Sequence, residues 1–260
     1  MSPPLASPSQ SQKLRVLCLH GFRTSGIIME TQMRKLDRTA LDLLDMTFLD
    51  APYPAEGKSD VEGIFPPPYY EWFQFTKTDT GAIFRHLKEC IQFISDFMEK
   101  HGPFDGIVGF SQGAFLSAAL AGMQEQGLAL TSVPQLRFVI VISGGVLDGE
   151  HEWRDCYSEP IKCPSLHFIG TRDFLQPRNE ELLLKFANPI VIRHEARHTV
   201  PRLDEKAVLP MKTFLERILS VHEEDEDGEH VILSTVKEQE GHVPEHSTAT
   251  WTYTSCAALA

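Results

Sequence analysis

A serine between two glycines is the residue of this sequence best suited to do chemistry. Residues 109–113 read Gly-Phe-Ser-Gln-Gly and match the pattern G-x-S-x-G. They lie between an apolar run typical of a strand and an Ala/Leu-rich stretch typical of a helix, which is the setting that this motif requires. The small glycines permit a sharp turn that exposes the hydroxyl. The pattern predicts Ser111 as a nucleophile; a tight turn with a serine helix cap is the alternative.

A histidine and an aspartate later in the chain complete a predicted triad. A serine hydroxyl is a weak nucleophile, so it needs a general base, and the base needs an orienting carboxylate. With this motif the chain order is Ser, acid, His. Asp173 and His198 each follow a predicted strand, and we expect them to be the acid and the base. Asp148 is the second choice of acid and His194 the second choice of base; a helix-capping role for Asp173 is the alternative.

Two backbone amides are predicted to stabilise an oxyanion. One belongs to Gln112, directly after the serine, and the other to Phe22, in the loop that begins His20-Gly21. The predicted reaction is acyl transfer in two steps, through an acyl-enzyme that water hydrolyses. It requires no metal and no cofactor. Taken alone, His20-Gly21 also fits an ordinary turn at a strand end.

The elements that would bring these residues together alternate along the chain. Strands and helices in alternation indicate an α/β fold with about six mostly parallel strands and helices on both faces. Together with the G-x-S-x-G turn between a strand and a helix, this pattern predicts the α/β-hydrolase fold. Residues at the carboxyl ends of the strands then share one rim. The predicted strands are 14–19, 44–49, 104–110, 137–143, 165–170 and 189–194. The predicted helices are 25–37, 81–100, 114–126, 179–186 and 208–221.

A long aromatic connection separates the second predicted strand from the helix at 81–100. Residues 52–80 contain several prolines and the pair Trp72-Phe73. Long connections in compact domains are usually functional or disordered, and this one is too aromatic for plain disorder. Trp72 and Phe73 are candidate substrate-binding residues for an apolar acyl group. Packing of the connection onto the body of the protein is an equally good interpretation.

Composition limits the possible partners. The chain has 260 residues, 42% of them hydrophobic, and a net charge of −12, which argues against a nucleic-acid partner. Residues 223–260 hold nine acidic residues and one Lys, so this part carries much of the charge. We expect a disordered N-terminal segment at 1–12, a hydrolase domain at 13–222 and a disordered, Ser/Thr-rich acidic tail at 223–260.

The five cysteines and the lack of long apolar runs bear on location. The cysteine number is odd, and no pair has metal-site or redox spacing. A reduced, cytoplasmic protein is the simplest expectation. No apolar run approaches the roughly 20 residues that span a bilayer, so we expect no stable membrane insertion. The oligomeric state is not indicated.

Several stretches resemble the FSH serine hydrolases, a branch of the α/β-hydrolases. The similarity covers about residues 14–220, in the right order. It includes residues 17–26, Trp72-Phe73, 102–114, 143–145, 164–170 with Asp173, and His198-x-x-Pro201. The resemblance implies a compact hydrolase with a Ser-Asp-His triad, in a family of medium- to long-chain carboxylesterases and of thioesterases. Arg197 stands where the family often has glycine before the histidine, and the acidic tail has no expected counterpart.

The predicted function is hydrolysis of carboxylic esters or thioesters, with a small-molecule acyl substrate. Acyl-protein and lysophospholipid thioesterases share the Gly-Phe-Ser-Gln-Gly turn and are one alternative. A dienelactone-type hydrolase usually needs Cys where this chain has Ser111. A catalytically weak small-molecule receptor on the same fold is the alternative from another class, and the complete predicted set of Ser111, Asp173 and His198 argues against it.

Overall fold

The computed structural model describes residues 12–78, 81–149 and 151–220. The chain divides into two units, residues 1–219 and 220–260. The first contains the described domain. Apart from Gln12, the expected N-terminal segment 1–12 lies outside the described residues, as does the expected tail 223–260.

A parallel six-stranded sheet forms the centre of the described domain. Its strand order is β10-β9-β8-β7-β1-β2, and every neighbouring pair is parallel. The α/β-hydrolase fold class with about six strands is therefore confirmed. The strands described are β1 (Leu14–Leu19), β2 (Leu44–Leu49), β3 (Tyr53–Pro54), β4 (Tyr70–Glu71), β5 (Gln74–Thr78), β6 (Gly81–Arg85), β7 (Gly106–Phe110), β8 (Phe138–Ile142), β9 (Ser165–Gly170) and β10 (Ile190–His194).

Helices cover both faces of this sheet, because successive side chains of its central strands point to opposite sides and are apolar on both. The helices are α1 (Gly26–Met33), α2 (Arg38–Leu41), α3 (Leu87–His101), α4 (Gln112–Glu125), α5 (Gln176–Leu183) and α6 (205–220), with a 3₁₀ turn at Arg154–Tyr157. In β1, Leu17 and Leu19 pack with α3 and α4, whereas Val16 and Cys18 pack with α1 and α6.

The predicted helix at 81–100 is wrong over its first five residues. Strand β6 occupies them and pairs with β5 in an antiparallel hairpin, and α3 begins only at Leu87. Ile83 matches the helical spacing of the apolar residues after it, but its side chain is 59% exposed and lies outside the buried face of α3. Cross-strand pairing with β5, which a single-segment pattern does not contain, decides the conformation here.

Candidate active site

A sharp turn between β7 and α4 presents Ser111 at the carboxyl rim of the sheet. Ser111 has φ 52° and ψ −118°, a conformation that is strained for a residue with a side chain. A Cβ at Gly113 would lie 2.0 Å from the Leu19 carbonyl oxygen, and a Cβ at Gly109 would lie 2.3 Å from the Gly113 oxygen. Only glycine fits both positions, which is the steric reason for the G-x-S-x-G pattern.

The side chains of Ser111, His198 and Asp173 lie in one hydrogen-bonded line. His198 Nε2 is 2.8 Å from Ser111 Oγ, and His198 Nδ1 is 2.9 Å from Asp173 Oδ2. With Nδ1 protonated, the imidazole donates to the carboxylate, and Nε2 can accept the serine proton. Asp173 follows β9 and His198 follows β10. Ser111 and His198, which are 87 positions apart in the chain, therefore meet at the rim of the sheet.

Asp173 is suited to remain a carboxylate. Its side chain has no solvent exposure, and it also accepts a hydrogen bond of 2.8 Å from the Leu175 amide. Burial would raise the pKa of Asp173, but the hydrogen bonds that it accepts outweigh burial, and the net result is a lowered pKa. A carboxylate that stays ionised can steady a positively charged His198.

Two phenylalanine rings enclose His198, and sequence reasoning missed both. The buried ring of Phe110 lies 5.2 Å from the imidazole, and the ring of Phe174 lies 4.7 Å from it. Phe174 is 75% exposed, although it is a large apolar side chain. Its position directly after Asp173 was the available signal, because a residue next to a rim acid must also lie at the rim.

The second-choice residues contact neither Ser111 nor each other in the described hydrogen bonds and ion pairs. Asp148 pairs with Arg178 at 2.5 Å. His194 ends β10, and neither of its ring nitrogens has a hydrogen-bond partner in the part of the chain that is described. Burial lowers the pKa of His194 more than the charge of Asp173 raises it. A neutral His194 is therefore expected at neutral pH.

The two candidate oxyanion donors belong to adjacent backbone segments. Gln112 is the first residue of α4, so its amide is one of the free amides at the helix N-terminus. The loop that carries Phe22 packs on Ser111, since a Cβ at Gly21 would meet the Ser111 Cβ at 3.4 Å. Among the hydrogen bonds of the described residues, none is donated by the amides of Phe22 or Gln112. Both amides therefore remain candidate donors to a substrate oxygen.

Trp72 and Phe73 pack the aromatic connection onto the body of the protein. Both side chains are buried. The Trp72 indole donates to the His20 carbonyl oxygen at 2.8 Å, and its amide donates to Gln112 Oε1 at 3.1 Å. Gln112 Nε2 donates in turn to the Phe73 carbonyl oxygen at 2.7 Å. Of the two roles open from the sequence, burial supports packing, and neither ring offers surface to a substrate in this conformation.

His20 also has a structural role. Its Nδ1 lies 2.8 Å from the Gly21 carbonyl oxygen, and its Nε2 accepts a hydrogen bond of 3.0 Å from the Ala51 amide. Burial lowers the pKa of His20 to about 4. The neutral ring therefore joins the loop after β1 to the end of β2.

In the described residues, His, Cys, Asp and Glu side chains nowhere form a group of three able to hold a metal ion. Within the same residues, no helix is both long and apolar enough to cross a membrane.

A sequence profile decides the family. The profile of the serine hydrolase family FSH1 matches residues 9–208, most of the chain and all of the rim residues described above. The chain belongs to the FSH1 serine hydrolase family.

Individual relatives agree with the FSH1 assignment. Esterase OVCA2 of Mus musculus is 30% identical over 207 residues, which are 73% of this chain and 90% of the mouse protein. A Schizosaccharomyces pombe protein named dihydrofolate reductase is 30% identical over 209 residues, or 74% of this chain. This chain spans only 45% of the length of that yeast protein.

Solved structures show the same fold. The Bacillus cereus carboxylesterase aligns with a TM-score of 0.55 at 14% identity and covers 80% of this chain and 90% of its own. Membership of the FSH1 family together with the esterase relatives makes this chain a serine hydrolase that acts on esters.

Proposed function

We propose that this enzyme hydrolyses carboxylic esters or thioesters of medium to long acyl chains, with Ser111, His198 and Asp173 as the catalytic triad. The observation that carries the proposal is the 2.8 Å contact between Ser111 Oγ and His198 Nε2. A hydroxyl is a useful nucleophile only when a base within hydrogen-bond distance can take its proton.

The reaction takes place in two steps. Ser111 Oγ attacks the carbonyl carbon while His198 Nε2 takes the hydroxyl proton. The tetrahedral intermediate then collapses, the bond to the leaving group breaks, and His198 returns the proton to the leaving alcohol or thiol. Water attacks the acyl-enzyme in the same manner and releases the carboxylic acid and free Ser111. Asp173 stays ionised throughout and orients the imidazole.

The amides of Phe22 and Gln112 stabilise the negative charge that develops on the substrate oxygen. Both amides are free of hydrogen bonds to the described part of the protein. Loss of one such donor typically slows the reaction by about 10²–10³-fold. The N-terminal end of α4 adds its positive dipole at the same place.

Exposed aromatic side chains support an apolar substrate. Phe174 is 75% exposed beside His198, and the partly exposed ring of Phe75 lies 6.1 Å from that of Phe22. Exposed large apolar side chains grouped at a site usually serve recognition. We infer that these rings contact the apolar part of the substrate.

The decisive experiment combines covalent labelling with a substrate panel. We expect a fluorophosphonate probe to label the wild type and Ser132→Ala, a change at an exposed serine, but not Ser111→Ala. On p-nitrophenyl esters and matched thioesters, we expect kcat/KM to rise from acetyl to octanoyl chains. Failure of the probe to label the wild type would contradict the proposal that Ser111 is the nucleophile. A higher kcat/KM for acetyl esters than for octanoyl esters would contradict the proposed site for an apolar acyl chain.

A further inference from the structure

A buried carboxylate lies beside the loop that carries Phe22. The side chain of Glu71 has no solvent exposure, and its Oε1 accepts hydrogen bonds from Arg23 Nε at 2.6 Å and from the Glu56 amide at 3.0 Å. Its Oε2 has no hydrogen-bond partner among the described residues. A buried ion pair adds little stability compared with an apolar pair of the same size. The ion pair is therefore expected to matter through the residues that it positions.

Arg23 links this carboxylate to the backbone directly after Phe22. Arg23 has a φ of 53°, in the left-handed region that residues with side chains rarely adopt. Its guanidinium lies 4.6 Å from the centre of the Phe22 ring and also donates to the Lys58 carbonyl oxygen at 3.2 Å. The Ser59 hydroxyl donates to the Arg23 carbonyl oxygen at 2.6 Å. Hydrogen bonds therefore restrain both the side chain and the backbone of Arg23.

The residues next to Glu71 hold the rest of the predicted oxyanion hole. On one side, the Tyr70 amide donates to the Thr24 carbonyl oxygen at 2.7 Å, in the loop after β1. On the other side, Trp72 and Phe73 bond the side chain of Gln112. Residues 70–73 therefore contact both segments that supply the donor amides, and Glu71 lies in the middle of this stretch.

We propose that Glu71 is a positioning residue that acts through Arg23 to fix the Phe22 amide relative to the Gln112 amide. The inference rests on the proposed function. Donor amides stabilise a developing oxyanion only when they are already aligned as the charge appears. A displacement of about 1 Å in such a site can cost on the order of 10²-fold in rate. Residues 70–73 of the aromatic connection would then hold the two donor amides of the oxyanion hole in alignment.

The test removes the charge of Glu71 without changing its shape. In Glu71→Gln, we expect kcat on a p-nitrophenyl ester to fall about 10–100-fold while KM changes less than about threefold. The affinity for an alkyl boronic acid, which forms a tetrahedral adduct on the serine, should fall by the same factor as kcat/KM. Arg23→Gln should give the same pattern. The kcat of the double variant should be no lower than that of the less active single variant, because the two side chains act as one unit.

The matched control is Arg85→Gln, which breaks the exposed ion pair between Arg85 of β6 and the side chain of Glu56. We expect its kcat and boronate affinity to equal those of the wild type. A purely structural role for Glu71 predicts a lower melting temperature with unchanged kcat per folded molecule, and that result would overturn the proposal.

If Glu71→Gln does not fold, the kinetics of Arg23→Gln test the proposal instead, because Arg23 is partly exposed and its substitution is easier to tolerate. An inactive wild type would refute the proposed function itself, whereas an active wild type with an indifferent Glu71→Gln refutes only the positioning role.

Discussion

At the scale of single residues, Phe174 is the side chain at the rim that most needs an explanation. Its ring lies 4.7 Å from that of His198 and is largely open to solvent. In the proposed reaction the leaving group lies close to His198 Nε2, because this nitrogen returns the proton to it. An exposed ring beside the imidazole is thus a natural surface for an apolar leaving group.

We therefore expect Phe174→Ala to lower kcat/KM about 3–10-fold for naphthyl esters, since burying an aromatic leaving group on the ring contributes about 0.5–1.5 kcal/mol. Ethyl esters of the same acid, which have little surface to bury, should be affected less. Steady-state kinetics on the two ester series measure the difference. Leu184→Ala, which removes an exposed apolar side chain at the far end of α5, should leave both series unchanged. Equal losses on both series would contradict a leaving-group role.

At the scale of elements, the turn from β7 into α4 depends on close contact between backbones. The Gly113 amide donates to the His20 carbonyl oxygen at 3.1 Å, so α4 begins against the end of β1. This contact places the Gln112 amide beside the loop of Phe22. A side chain at residue 113 would force the two segments apart.

For Gly113→Ala, we expect a loss of about 3 kcal/mol in the free energy of unfolding, from the clash with the Leu19 carbonyl oxygen, and a fall in kcat of more than about 100-fold. Urea unfolding and ester hydrolysis measure the two effects. Gly127→Ala is the comparison, because Gly127 has a φ of 67° but open space around its Cα. That variant should lose only about 1 kcal/mol and keep full activity. Similar losses in the two variants would show that the close approach is unimportant.

At the scale of the whole molecule, buried neutral histidines should make the domain sensitive to acid. His167 lies inside the sheet on β9, and its Nε2 is 3.0 Å from the Ser165 hydroxyl. Burial lowers the pKa of His167 to about 3 from its ordinary 6.5. Below pH 6.5 the unfolded chain therefore binds a proton that the folded domain excludes, and stability falls as the pH drops toward 3.

His167 alone should cost about 2 kcal/mol of unfolding free energy between pH 7.5 and pH 5. His167→Gln retains a nitrogen for the Ser165 contact but does not titrate, so its stability should decline less over this interval by about that amount. Urea titrations of both proteins at the two pH values provide the measurement. Parallel declines in the wild type and the variant would show that another group dominates.

The sequence alone determined much of the sheet and of its rim. The four inner strands of the sheet were predictable because a strand buried on both faces must be almost continuously apolar, as in β1 and β8. The position of Ser111 was predictable because its turn tolerates only glycine at 109 and 113. Asp173 and His198 could be selected because each follows a strand of a parallel sheet, which limits where each residue can lie.

Tertiary structure decided what depends on partners far away in the chain. Residues 81–85 form a strand because β5 pairs with them, although their local pattern fits a helix. Trp72 is a buried support because the His20 carbonyl and the Gln112 side chain meet it. The pair of Arg23 and Glu71 joins residues 48 positions apart. Sequence patterns record the period of one segment and its burial, whereas these features depend on which second segment packs against it.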